Sequence, residues 1–192
     1  MDKKQDNMID IPVINTERTI LTVLKPEKSE IICQYYLENK DHLAPWEPER
    51  DESFYSLAAC QDRVTLSYTG FFQKHCVNFA ILDKTESELI GLCHFTNIIK
   101  GPFQACHMGY SIAYKYEGQG FMFESAQSTI RYMFDTFGLH RIMANFMPHN
   151  ERSAKLLGKL GFEREGYAKS YLKIGGEWQD HILTSLINKK WV

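Results

Sequence analysis

Two glycines separated by one residue form the part of this sequence best suited to bind an anion. The segment Tyr116-Glu-Gly-Gln-Gly-Phe-Met122 joins a predicted strand to a predicted helix and contains Gly118 and Gly120. The first backbone N–H groups of a helix lack partners within the helix, and glycines let a ligand approach them closely. Neither the G-x-G-x-x-G motif nor the Walker phosphate loop fits, because position 123 is phenylalanine where both require glycine. A phosphate site and a plain tight turn both stay open on this feature.

A second polar segment, Asn150-Glu-Arg-Ser153, precedes Leu160-Gly161-Phe162. Asn150 is well placed to cap a helix, with Ser153 at the third helical position. Arg152 is either an ordinary surface arginine or a cation for a bound phosphate. Capping and ligand binding are compatible roles for Asn150.

The cysteines and histidines do not favour a metal site. Two of the three Cys–His neighbours, Cys93-His94 and Cys106-His107, lie in predicted strands, where adjacent side chains point to opposite faces. No pair of cysteines has the C-x-x-C spacing of a zinc ligand set. We therefore predict no metal and five reduced thiols, which are Cys33, Cys60, Cys76, Cys93 and Cys106.

The surrounding pattern predicts an α/β fold with a single mixed sheet flanked by helices. Three successive apolar segments without helical periodicity between them indicate antiparallel strands, and the later strand–helix–strand unit indicates a parallel pair. Pro45 and Pro48 interrupt any helix between the first two helical segments. Strands are predicted at 19–24, 78–82, 89–95, 105–112, 141–146, 167–173 and 181–187, and helices at about 26–42, 52–74, 121–137 and 150–160.

Composition excludes several broad classes of protein. The chain has 192 residues, 44% hydrophobic and 24% charged, which is typical of one globular domain and not of disorder, collagen or a coiled coil. A net charge of -2 argues against direct binding to DNA or to nucleic acid in general. No apolar run is long enough to span a membrane, and residues 1–12 form a polar arm without a signal-peptide core. We expect a cytoplasmic protein that does not bind membranes.

The motifs together resemble those of the GNAT acetyltransferases. Lys115-x-x-Gly118-x-Gly120 resembles the pyrophosphate loop of that family, and Asn150-x-x-Ser153 with Leu160-Gly161-Phe162 resembles a second family segment. The predicted order of elements also matches, so the resemblance covers nearly the whole chain as one domain, 1–192. Three further segments resemble the RimJ branch, the ribosomal-protein-alanine N-acetyltransferases: residues 140–150, residues 161–169, and Pro45-Trp-Glu-Pro with Arg50-Asp-Glu-Ser53.

The resemblance implies acetyl-CoA as donor and the N-terminal amine of a ribosomal protein as acceptor, with the assembling small subunit a further candidate partner. It implies that the strand Tyr110-Ser111-Ile112 contacts the pantetheine arm of CoA. The pyrophosphate is expected on the amides of Gly118, Gln119, Gly120, Phe121 and Met122, with Lys115, Asn150, Arg152 and Ser153 as further cofactor-binding residues. Lys115 replaces the more common Gln or Arg, but remains a cation suited to phosphate.

Acid–base chemistry separates the candidate acceptors. A peptide α-amine has a pKa near 8, so roughly one-tenth of it is neutral at pH 7. Forming the neutral amine at this pH costs about 1.4 kcal/mol for an α-amine and about 4.6 kcal/mol for a lysine side chain. An α-amine therefore needs only a weak base. His107 is a candidate for that base, or simply a strand histidine.

The acid that protonates the leaving thiolate is less easily assigned. Leu157 stands where many GNAT enzymes carry a tyrosine with that role. Ser153, Tyr167 and Tyr171 are the candidates that remain. No acyl-cysteine is expected, because no motif places a base beside a cysteine.

An acidic, aromatic loop is the candidate acceptor site. Trp46, Glu47, Glu49 and Glu52 lie close together in the proline-rich segment, with Arg50 among them. Such a loop suits a basic ribosomal-protein tail and would repel RNA phosphate, although a solvated surface loop has the same composition. Two other functions stay open: a ribosome-assembly or regulatory factor that uses the GNAT fold for docking, and a GNAT enzyme for a small amine or antibiotic. The resemblance around Trp46 argues against the second.

Overall fold

The computed structural model describes residues 10–191 and contains one mixed sheet in the order β1-β2-β3-β4-β5-β6-β8-β7. The part of the predicted N-terminal arm at positions 1–9 lies outside the described residues. The strands are β1 (Val13–Asn15), β2 (Ile20–Val23), β3 (Val77–Leu82), β4 (Leu89–Ile99), β5 (Ala105–Ile112), β6 (Arg141–Phe146), β7 (Glu163–Ile174) and β8 (Glu177–Ile187). The helices are α1 (Ser29–Glu38), α2 (Lys40–Leu43), α3 (Leu57–Phe72), α4 (Phe121–Phe137) and α5 (Glu151–Leu160).

The strand directions follow the predicted pattern. Strands β1 to β5 are antiparallel neighbours. Strands β5 and β6, which α4 connects along the chain, run parallel. The final hairpin turns at Gly175-Gly176, and its second strand, β8, pairs with β6. The predicted α/β class and mixed sheet are therefore confirmed.

Helices cover both faces of the sheet. One buried cluster joins α4 and α5 to the sheet through residues such as Phe79, Met133 and Leu157. A second cluster joins α1 and α3 to the opposite face through residues such as Tyr35 and Val64. The apolar stripe of α4 recurs at helical spacing, so one side of this helix packs on the sheet while its N-terminus projects from the sheet edge.

Three local features differ from the sequence prediction. The helix predicted at about 26–42 is divided into a 3₁₀ turn over Pro26–Lys28, α1 and α2. Strand β1 was not predicted, because three residues are too few for a periodic pattern to emerge. The helix expected from residue 52 is a 3₁₀ turn over Glu52–Tyr55 followed by α3, since the Ser56 hydroxyl accepts the Ala59 N–H and starts a new helix there. Within residues 10–191, none of the helices has the length and apolarity to cross a bilayer.

Candidate active site

The sheet opens between β5 and β6, and this opening forms the base of the candidate site. The two strands pair only at Ala105–His107, after which they diverge. The Ala113 N–H donates to Ile90 of β4 at 2.9 Å. Because successive residues of a strand direct their backbone groups to opposite sides, Tyr110 and Ile112 present theirs to the open edge. An extended ligand can add to the sheet there.

The glycine loop lies beside this opening, at the start of α4. Gly118 and Gly120 have φ angles of 74° and 83°, values that favour glycine. Gly120 is the N-cap residue and has no side chain to satisfy the first amides of the helix. Those amides are therefore available to an anion, as the sequence predicts.

A cleft of about 560 Å³ connects the strand edge, the glycine loop and α5. It brings together residues that are distant in sequence and includes Tyr110, Ser111, Ile112, Gly118, Gly120, Met122, Asn150, Arg152 and Ser153 from the predicted cofactor set. Further lining residues that the sequence analysis did not single out include Tyr116, Glu117, Lys155 and Lys159. Lysines on α5 become recognisable as candidate phosphate ligands only once α5 is known to border the cleft.

Helix α5 contributes a capped N-terminus to the cleft. The Asn150 Oδ1 atom accepts the Ser153 N–H at 3.0 Å, which confirms the predicted capping geometry. Arg152 forms an ion pair with Glu117 at the cleft mouth. Burial raises the pKa of Tyr110 to about 12, and the nearby Ser153 hydroxyl opposes that shift only in part. The Tyr110 phenol is therefore a proton donor at neutral pH.

Cations at the glycine loop are arranged differently from the sequence expectation. Lys115 is not among the residues that line the cleft, and its ammonium group forms an ion pair with Glu88. The guanidinium of Arg18, from the turn between β1 and β2, instead reaches the loop, where Nη1 donates to the Gln119 carbonyl at 2.9 Å. Sequence reasoning missed Arg18 because 101 positions separate it from Gln119.

The proline-rich segment closes the other end of the cleft. Trp46 packs against His149, with ring centroids 5.7 Å apart, and Trp46 and Glu47 both line the cleft. The Gly175 N–H of the β7–β8 turn donates to the Glu47 carbonyl at 3.1 Å. Burial raises the pKa of the Glu47 carboxyl, while Arg50 and Arg63 oppose this shift. One partly buried carboxyl group thus belongs to a residue that lines the cleft.

The remaining acidic residues of this segment lie farther out. Glu49 lies beside the hairpin turn. If Gly176 carried a Cβ atom, that atom would be 3.0 Å from the Glu49 Oε2. Glu52 is 87% exposed and pairs with Lys40 at 2.6 Å. Of the four residues predicted for the acceptor, the cleft therefore includes Trp46 and Glu47 and not Glu49 or Glu52.

His107 lies at the fork, in the last residue pair before β5 and β6 diverge. It does not line the cleft, and its Nδ1 atom is buried without a hydrogen-bond partner. Burial lowers the pKa of this imidazole, so it is neutral at pH 7.

The two candidate acid tyrosines lie outside the cleft lining. The Tyr167 hydroxyl donates to Asp180 at 2.5 Å, and the Tyr171 hydroxyl accepts a bond from the Asn145 amide at 3.1 Å. Ser153 is the member of this candidate set that lines the cleft, and it lies beside Tyr110.

The cysteines are also remote from the cleft. None of the five contributes to its lining, and burial raises the pKa values of Cys93 and Cys106 to about 12. Within residues 10–191, no three His, Cys, Asp or Glu side chains are grouped closely enough to hold a metal ion.

Comparisons with known proteins agree with this geometry. Residues 18–163 match the acetyltransferase (GNAT) domain. The chain is 44% identical over 178 residues to the [ribosomal protein uS5]-alanine N-acetyltransferase of Escherichia coli, covering 93% of this chain and 92% of that protein. The crystal structure of a ribosomal-protein-S5-alanine acetyltransferase from Vibrio fischeri has a TM-score of 0.90 at 40% identity, with coverage of 94% and 99%. A structure of Mycobacterium smegmatis RimJ in complex with CoA-disulfide has the same fold, with a TM-score of 0.87 at 23% identity and coverage of 94% and 88%.

Proposed function

This chain belongs to the GNAT acetyltransferase family and is an acyltransferase, and we propose that it acetylates the N-terminal alanine of a ribosomal protein with acetyl-CoA as donor. The observation that carries this proposal is the 44% identity to the E. coli uS5-alanine enzyme, which extends over 93% of the chain. Similarity over that length covers the acceptor site as well as the donor site, which supports the same type of acceptor.

The shape of the cleft supports acetyl-CoA as the donor. The exposed backbone groups of Tyr110 and Ile112 suit the amides of a pantetheine arm, which would extend the sheet at the edge of β5. The amides at the start of α4 suit the diphosphate. Arg152, Lys155 and Lys159 also line the cleft, where Arg152 pairs with Glu117 and Lys155 with Glu151. We infer that no acyl-cysteine forms, because none of the five cysteines lines the cleft.

Bound acetyl-CoA supplies an activated thioester, and we propose that the acceptor amine attacks it directly while both substrates are bound. We assign the Tyr110 N–H to the negative charge that develops on the acetyl oxygen, which leaves the Ile112 N–H and the carbonyls of both residues for the pantetheine amides. The chain's further contribution is to hold the amine and the thioester in contact, which lowers the entropic cost of a two-substrate reaction.

Trp46 and Glu47 are the residues we propose for binding the acceptor N-terminus. The Glu47 carboxylate attracts the α-ammonium group, and partial burial strengthens this attraction relative to an exposed carboxylate. Glu49 and Glu52 act at longer range on a basic acceptor tail. The ammonium proton passes to water, since an α-amine requires little assistance at pH 7; His107 does not line the cleft, so it can take the proton only through an intervening water.

Many GNAT enzymes protonate the departing thiolate with a tyrosine at the position that Leu157 occupies in this chain. We propose that Ser153 has this role here. The Tyr110 phenol, whose pKa burial raises to about 12, lies beside the Ser153 hydroxyl and stays protonated at neutral pH. Tyr167 and Tyr171 are second candidates, and each already has a hydrogen-bond partner elsewhere.

Turnover on matched peptides tests the proposal. Purified protein and acetyl-CoA are incubated with a peptide that begins with Ala and ends in Lys-rich sequence, and with the same peptide blocked by N-terminal acetylation. We expect acetylation of the free α-amine and no reaction on the blocked peptide. Acetylation of lysine in the blocked peptide, or a faster reaction with small polyamines, would refute the acceptor assignment.

A further inference from the structure

Arg18 lies on a rigid turn next to the glycine loop. The turn joins β1 to β2 and is closed by the Thr16 N–H, which donates to the Thr19 carbonyl at 3.0 Å. The Thr16 and Thr19 hydroxyls also share a hydrogen bond of 2.6 Å. The backbone that carries Arg18 is therefore fixed independently of the loop that it contacts.

The Arg18 side chain makes three separate contacts with the loop and the first turn of α4. Its Nη1 atom donates to the Gln119 carbonyl at 2.9 Å, and its Nε atom donates to Glu124 at 2.8 Å. The guanidinium also lies over the Phe121 ring, 4.1 Å from the centroid. The Arg18 backbone N–H donates to the same Glu124 carboxylate at 2.9 Å. One residue thus contacts both the loop backbone and the first turn of α4.

These contacts also control charge at the helix N-terminus. Glu124 is in the first turn of α4, and its side chain is 19% exposed, so water screens it only in part. Without the Arg18 guanidinium, Glu124 would keep its bond from the backbone N–H of residue 18 but would lose its cationic partner, within one helical turn of the amides that face the expected diphosphate. Like charges at that distance repel, and the repulsion would weaken anion binding.

We propose that Arg18 is the positioning residue of the diphosphate site, which fixes the Gln119 carbonyl and neutralises Glu124 so that the amides of the loop accept CoA. The inference rests on the proposed donor but not on the proposed acceptor. Arg18 does not replace the glycine loop as the ligand; it holds the loop in the binding conformation.

Binding measurements on the full chain test the role of Arg18. The Kd values of CoA and of pantetheine, which lacks the diphosphate, are measured by NMR titration for wild type, Arg18→Ala, Arg18→Lys and the double variant Arg18→Ala/Glu124→Gln. The matched control is Lys84→Ala, because the Lys84 ammonium binds the Thr16 carbonyl of the same turn at 2.6 Å without contacting the glycine loop.

We expect Arg18→Ala to weaken CoA binding about tenfold, as for the loss of hydrogen bonds to a charged group, with pantetheine binding unchanged. The double variant should recover part of the affinity because the unpaired carboxylate is gone, and Arg18→Lys should fall between wild type and Arg18→Ala. Lys84→Ala should bind CoA like wild type.

Three results would overturn the inference: an unchanged CoA affinity in Arg18→Ala, an equal loss for CoA and pantetheine, or an equal loss in Lys84→Ala. If wild type itself fails to bind CoA, the proposed donor is wrong and the inference falls with it. A wild type that binds CoA but does not acetylate alanine peptides refutes the acceptor alone, since these titrations contain no acceptor.

Discussion

Substituting alanine for Gly120 tests the glycine loop directly, because a matched control lies at the other end of the same helix. Gly120 and Gly138 flank α4, with φ angles of 83° and 62°. A Cβ at Gly120 would lie 3.5 Å from the Arg18 guanidinium, an ordinary contact, and a Cβ at Gly138 would meet nothing within 4 Å. Both substitutions therefore impose backbone strain without a steric clash.

The expected magnitude follows from that strain. A non-glycine residue in the left-handed region costs roughly 1–2 kcal/mol, so each variant should lose about that much free energy of unfolding. For a chain of this size the corresponding fall in Tm is roughly 2–8 °C. In free Gly120→Ala the loop can relax, which moves part of that cost from the free energy of unfolding to CoA binding, because CoA must restore the binding conformation. The Kd for CoA should therefore rise, by at most roughly 5- to 30-fold.

Thermal unfolding and calorimetric titration with CoA separate these effects. We expect a fall in Tm for both variants, no larger for Gly120→Ala than for Gly138→Ala, and weaker CoA binding for Gly120→Ala alone. Equal CoA affinity in wild type and both variants would refute the assignment of the loop as the diphosphate site. A parallel loss of affinity in Gly138→Ala would show that general destabilisation, and not the loop, controls binding.

Three further variants test the acceptor site, the acid and a buried histidine. Glu47→Gln should raise the acceptor KM about tenfold with less change in kcat, because a partly buried carboxylate is lost. The control Glu52→Gln should raise KM much less, because Glu52 is exposed and paired with Lys40; equal effects in steady-state kinetics would contradict this. Ser153→Ala should lower kcat at least tenfold. The helix cap should remain, because Asn150 accepts the backbone N–H of residue 153 and not its hydroxyl, and the Kd of CoA should not change. Wild-type turnover in this variant would exclude serine as the acid. Burial lowers the pKa of His94 to about 4, so below pH 6.5 the unfolded chain binds more protons than the folded chain, and stability falls as the pH falls. Wild type should lose about 2 kcal/mol of unfolding free energy between pH 7 and pH 5 through this group, and His94→Gln should reduce that loss in denaturant titrations; an unchanged pH dependence would contradict the assignment.

The strand and helix order could be predicted because each long element carries its own periodicity. The stripe of α4, the turn at Gly175-Gly176 and the Asn150 cap are all local signals, and the structure confirms them. Strand β1 could not be predicted, since its three residues are specified by pairing with β2 and not by their own pattern.

The site was less predictable, since its contacts join distant parts of the chain. The spacing of the glycines indicated an anion site, but the nearest cation in sequence, Lys115, pairs with Glu88, whereas Arg18 reaches the loop from 101 positions away. The composition of the acidic loop indicated an attractive surface for a cation. It could not distinguish Glu47, which is partly buried in the cleft, from the exposed Glu52.

Intact-mass spectrometry of ribosomal proteins from cells with and without this chain tests the central claim most directly. The account predicts that one ribosomal protein with an N-terminal alanine carries an acetyl group, which adds about 42 Da, when the chain is present and lacks it when the chain is absent. Restoring the gene should restore the acetyl group, and Gly120→Ala should restore less of it. Unchanged masses of every ribosomal protein in the absence of the chain would contradict the account.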